Sequence, residues 1–123
     1  MIDDCLVVEV AVDGDECPLG EVTGQVGTVV ECQPPIARRD GTSLLRGTVT
    51  DQAEAMVTAL DEDDRIDFLH ARADDHGTNV RCLSKQPCVI HDLVDAGFLA
   101  ESVAYRHGTG YFGGSVVGYD VLQ

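Results

Sequence analysis

The sequence predicts an α+β fold: a ferredoxin-like split βαβ sheet extended by a further βαββ unit, with about seven strands and three helices. Three observations lead there. β-Branched apolar runs of strand length alternate with segments whose apolar residues recur at helical spacing. Pro and Gly punctuate those segments where helices start and stop. The length of 123 residues, with 44% apolar and 24% charged side chains, suits one packed domain over 1–123 with no Pro- or Ser-rich linker inside it.

Taken in order, Cys5 to Val12 is a nearly unbroken apolar run flanked by Asp and reads as a central strand. Asp13-Gly14-Asp15 turns the chain into a helix that opens at Pro18 and stops at Gly27, with Leu19, Val22 and Val26 on one side. Gly20 and Gly24 each cost that helix about 1 kcal/mol against Ala, so it depends on packing. Thr28 to Cys32 is a second strand, ended by Pro34-Pro35, which donate no backbone hydrogen bond. Arg38-Arg39-Asp40-Gly41 turns into a third strand, Ser43 to Val49. Asp51 and Glu54 have capping-box spacing ahead of a helix carrying Ala53, Met56, Val57 and Leu60 on one face. The acids 61–64 close that helix against its dipole. Strands follow at Ile66 to Arg72 and Asn79 to Leu83, then a helix from Pro87 to Ala96 stopped by Gly97. Phe98 to Arg106 and Tyr111 to Val117 form the last two strands.

Charge narrows the function. The chain carries 22 acidic and 8 basic side chains, a formal net charge of -14, and only Lys85 among the bases is lysine. Scarce Lys with abundant scattered Asp reads as adaptation to molar salt, where the Debye length falls to about 3 Å and self-repulsion is screened. The alternative is an acidic surface for a basic partner. Either surface is a poor match for nucleic-acid phosphates, so this chain alone is not expected to grip DNA. No apolar run approaches the ~20 residues of a membrane span, and Met1-Ile2-Asp3-Asp4 is no basic leader. The expected location is the cytoplasm, without membrane contact.

Chemistry concentrates in the five cysteines and four histidines. Cys88 and His91, at i and i+3, project from one side of the third helix, and Cys82 ends the strand before it. Cys88 lies in the first helical turn, where the dipole favours a thiolate, and Lys85 acts the same way. Cys17, just before Pro18, holds an equivalent place at the first helix. If the two helix starts meet, Cys17, Cys82, Cys88 and His91 form a Cys3His set suited to zinc or another thiophilic ion. C-x5-C-x2-H is not a standard zinc-finger spacing, and the same side chains serve equally as buried packing or as a redox pair. Cys5 and Cys32, within apolar strands, read as packing residues. His76 and His107 sit beside turn glycines and read as exposed, and His70, alternating with Phe68, reads as half-buried. Gly108-Thr109-Gly110-Tyr111-Phe112-Gly113 matches G-x-G-x-x-G literally, but a strand rather than a helix follows, so it reads as a hairpin turn. Ser84, His91 and Asp92 do not make a triad, because Asp92 adjoins His91 on a helix and points away from it.

The stretches CLVVEVAVDGDECPLGEVT, TALDEDDRIDFLHAR and above all RCLSKQPCVIHDLVDAGFLAESVAYRHGTG resemble the N-terminal regions of bacterio-opsin-activator-type helix-turn-helix transcription regulators of halophilic archaea. The resemblance implies a sensory or dimerising region that works with a DNA-binding helix-turn-helix. That part is expected outside this chain, since no basic helix pair follows Asp120-Val121-Leu122-Gln123, and the chain is expected to be either an excised regulatory region or a natural stand-alone relative. The expected function is a non-enzymatic regulatory module, forming a homodimer and sensing a small molecule, a metal or redox state through the Cys/His face. Two alternatives stay open: a thiol-dependent enzyme with Cys88 as nucleophile and His91 as base, and a plain protein-interaction module.

Overall fold

A computed structural model describes residues 5–13, 17–86 and 89–117. In chain order they form β1 (Cys5–Asp13), α1 (Pro18–Val26), β2 (Val29–Cys32), β3 (Ile36–Ala37), β4 (Ser43–Val49), α2 (Ala53–Asp61), β5 (Ile66–Asp74), β6 (Gly77–Ser84), α3 (Val89–Asp95), β7 (Phe98–Arg106) and β8 (Thr109–Val117). The strands make one sheet in the order β1-β8-β7-β2-β4-β6-β5, with β3 paired to β4. The α+β class therefore holds, with eight strands and three helices among the described residues.

Every pairing is antiparallel. Because β4 and β5 each run antiparallel to β6 between them, β4-α2-β5 is a split βαβ unit. Three antiparallel steps separate β1 from β2, so α1 connects strands of opposite direction. The strand expected to end at Pro34-Pro35 is interrupted there and resumes. β6 occupies one edge of β4 along its whole length, so β2 and β3 share the other, with Gln33 N–H donating to the Arg46 carbonyl at 3.1 Å between them.

Alternation sorts each strand into two faces. Val30, Leu45, Val49, Val80, Val103, Tyr105 and Phe112 point to the side where α1 contributes Leu19 and Val22, α2 Met56 and Leu60, and α3 Ile90, all in one buried cluster. Tyr105 and Phe112 meet edge to face, with ring centroids 6.0 Å apart at 84°. No element among the described residues covers the other face. Within α1, Gly24 is explained by proximity: a Cβ there would lie 3.2 Å from Gly108 Cα in the β7–β8 turn. Gly108 N–H donates to Thr23 Oγ1 at 3.1 Å, and His107 N–H to the Thr28 carbonyl at 3.1 Å, which docks the turn on the helix. That turn is the literal G-x-G-x-x-G stretch, closed by Arg106 opposite Thr109, with His107 and Gly108 at φ 50° and 92°.

Three local details depart from expectation. The capping box is not formed: Gln52 precedes α2 at φ 58° with no side-chain cap, and the Asp51 carbonyl accepts from the buried Thr28 hydroxyl at 2.6 Å. Asp51 is thus held toward the start of β2 instead of over the helix end. The acid-rich end of α2 is answered by Arg65, whose Nη2 lies 2.7 Å from Asp63 Oδ2 and 2.9 Å from Glu21 Oε2, tying the loop to α1. The Arg65 guanidinium holds the Asp63 carboxyl below its ordinary range. In β5 the register shifts between Asp67 and His70, and Phe68 takes φ 55° with 82% of its surface exposed. The shift breaks the alternation on which a half-buried His70 depended. His70 is exposed, opposite Arg81, and His76 and His107 are exposed as expected.

Candidate functional site

Of the four predicted donors, Cys17 and Cys82 come together. Cys17 stands immediately before α1 with none of its surface exposed, and Cys82, on β6 opposite Leu45, is 2% exposed. Cys32, read from the sequence as packing, joins them. It lies opposite Gly47 on β4, with its thiol on the core face and close enough to feel both others. Burial raises the Cys32 thiol well above its ordinary range, and Cys17 and Cys82 raise it further. Burial, then Cys17, pushes Cys82 up to about 12. Cys32 and Cys82 are therefore neutral thiols at physiological pH, which makes them poor nucleophiles until the core opens.

Cys88 lies outside the described residues. His91 turns to a different partner, with its Nε2 2.7 Å from Ser43 Oγ at the start of β4. Ser43 is 1% exposed, so this Ser–His contact clasps α3 to the sheet out of reach of a substrate. Ser84, which pairs across the strands with Ser43, instead donates its hydroxyl to the Gln86 carbonyl at 2.7 Å. Among the described residues no three His, Cys, Asp or Glu side chains are grouped to hold a metal ion. No described helix is long and apolar enough to cross a membrane.

The uncovered sheet face carries what sequence reading missed. A groove of about 340 Å³ over β1, β8, β7 and β2 is lined by Glu9, Glu31, Glu101, Ser102, Arg106 and Tyr111. Arg106 lies 5.3 Å from the Tyr111 ring centre, a cation–π contact. A smaller groove of about 140 Å³ over β4 and β6 is lined by Gln33, Arg46, Thr48, Asn79 and Arg81, with Glu31 on its rim. Arg46 and Arg81 are directly opposite one another. The alternation in SLLRGTV and GTNVRCLS placed both on the polar face, but the pairing of β4 with β6 was needed to make them neighbours. A further hollow of about 750 Å³ runs along α2 past Gln52, Glu54, Thr58 and Glu62.

The thiols make a direct prediction. In the native protein Cys17, Cys32 and Cys82 should resist iodoacetamide at pH 7.5 and react fully after unfolding, as counted by mass. Stability should also depend on alkali. With Cys82 raised from 9.0 to about 12, the unfolded chain ionises first, so its stability contribution is intact below about pH 9 and is lost as pH rises toward 12. Urea midpoints at pH 8 and 10.5, compared with Cys82→Ala, measure it.

The family model described as "BAT: GAF and HTH_10 associated domain" matches residues 3–113. No curated protein and no solved structure matches the chain.

Proposed function

This chain belongs to the BAT family, domains associated with GAF and HTH_10 domains, and on that premise we propose that it is the homodimerising, signal-responsive part of a helix-turn-helix transcription regulator. The match over residues 3–113 supports the regulatory part of this reading, since it covers nearly all of the described residues. We place it in the cytoplasm of a salt-adapted archaeon, as one domain without catalysis, contacting DNA only through a partner domain.

The convergence of Cys17, Cys32 and Cys82 supports a thiol-based signal. Neutral buried thiols become ligands or redox groups only when the protein populates a looser state. A thiophilic ion or oxidant would then act by favouring that state over the packed one. With Cys88 and His91 added, Cys17 and Cys82 would offer zinc a Cys3His set, one of its ordinary structural ligand sets. Native mass spectrometry of protein purified without chelator, before and after diamide, tests the reading. The expected result is a dimer that holds a thiophilic ion or loses two hydrogens per chain on oxidation, with a changed dimer fraction. A metal-free spectrum unaltered by oxidant removes the sensing part, and a monomer removes the dimer.

A further inference from the structure

The uncovered face has two electrically different halves. On β1, β8, β7 and β2 the charged residues are mainly acids, with Glu9, Glu31 and Glu101 sharing one groove. On β4, β6 and β5 the face carries three arginines, with Arg46 opposite Arg81 and Arg72 opposite Asn79. The acids on this second half already have partners: Asp67 lies 3.5 Å from Lys85 Nζ, and Asp74 accepts from His76 N–H and Asn79 Nδ2. The arginines do not. Among the described residues neither Arg46 nor Arg81 makes an ion pair, and Arg46 Nε is buried with no hydrogen-bond partner.

Two arginines directly across a ladder repel. In a chain with 22 acidic side chains, leaving such a pair unanswered is costly unless an anion arrives from outside. Beside the charged rows runs an apolar one. Val7 and Leu99 both pair with Ser115, and Leu44 pairs with Ile36 and Leu83. Val7, Leu99 and Ile36 are 88%, 54% and 47% exposed.

We propose that this face is the homodimer interface, on which the arginines of β4, β6 and β5 in one copy receive Glu101 and Glu9 of the other. The inference rests on the homodimer of the proposed function and specifies its geometry. Two sheets stacked face to face are related by a two-fold axis lying between them. An axis running across the strands lays each half over its own kind. An axis parallel to the strands, passing near the central β2, lays the acidic half over the basic half twice. The charge pattern selects the second arrangement, which also brings the β7 end of the apolar row over its β4 end. The same pattern makes a second copy the fitting occupant, since it supplies acid where the arginines lie and arginine where the acids lie. Nucleic acid would meet the acidic half as well.

Sedimentation equilibrium on the whole chain tests this with two variants, Arg46→Glu/Arg81→Glu and Glu9→Arg/Glu101→Arg. Each alone is expected to weaken self-association by about 100-fold or more, because like charges then face each other twice. Mixed together, the two variants should form a heterodimer with wild-type-like affinity, a rescue that no purely structural role would produce. Thermal melts matching wild type confirm that both variants fold. Variants that remain dimeric overturn the interface while leaving the homodimer intact. A wild-type chain that stays monomeric at all concentrations overturns both.

Discussion

Replacing Gly114 with alanine should strongly destabilise the protein. A Cβ at this position would be driven into the Leu99 carbonyl oxygen, with Leu99 C and Phe98 Cζ each 3.0 Å away. The obstacle is backbone, and it cannot rotate aside. Leu99 lies beside the irregularity between Ala100 and Ser102, where β7 already departs from even pairing with β8. Relief requires β7 and β8 to separate, and among the described residues β8 is also the only ladder partner of β1. Ordinary overpacking costs about 1–3 kcal/mol, and a backbone clash falls at or above the top of that range. A domain of this size has only about 5–15 kcal/mol in total. A loss of about 10 °C or more in melting temperature is expected by circular dichroism.

Phe112→Ala comes next in size and works through the opposite defect, a void. Phe112 has none of its surface exposed and lies against Tyr105 in the middle of the core. Truncating a buried Phe costs about 3–5 kcal/mol, and the lost edge-to-face pair adds about 0.5–1.5. Urea denaturation should show a lower midpoint with an unchanged slope. Phe68→Ala is the matched control. The same side chain leaves an 82% exposed site, and the change should stay within about 0.5 kcal/mol.

The contrast between these phenylalanines marks where the sequence was informative. Phe112 lies inside the regularly paired strand that the sequence predicts over Tyr111 to Val117. Phe68 sits in an equally strand-like run, but the register shift after Asp67 arises only when β5 meets β6. The seven longer strands and three helices announced themselves through β-branched runs and Pro/Gly boundaries. Two-residue β3 did not, because two residues carry no periodicity and the prolines before it read as a terminus. The missing cap on α2 was hidden for a related reason. Thr28, far away in sequence, takes the Asp51 carbonyl.

The candidate site divides the same way. Helix-start reasoning set Cys17 beside Cys88, which lies outside the described residues, and it is Cys82, at the end of a strand, that Cys17 meets. Cys32 was passed over since an apolar strand gives a thiol no distinguishing neighbours. The Arg46–Arg81 opposition was invisible until strand order was known, as neither residue departs from simple alternation in its own strand. Pairwise features across a sheet belong to topology, and single-chain patterns do not encode them directly.

The irregular Phe68 also determines how the molecule behaves in a crowd. β5 is the outermost strand on its side, a row of amides and carbonyls that would otherwise recruit a neighbouring polypeptide. A left-handed residue in mid-strand twists that margin and breaks its spacing. An incoming strand finds that template broken between Asp67 and His70, which disfavours edge-to-edge growth from this border.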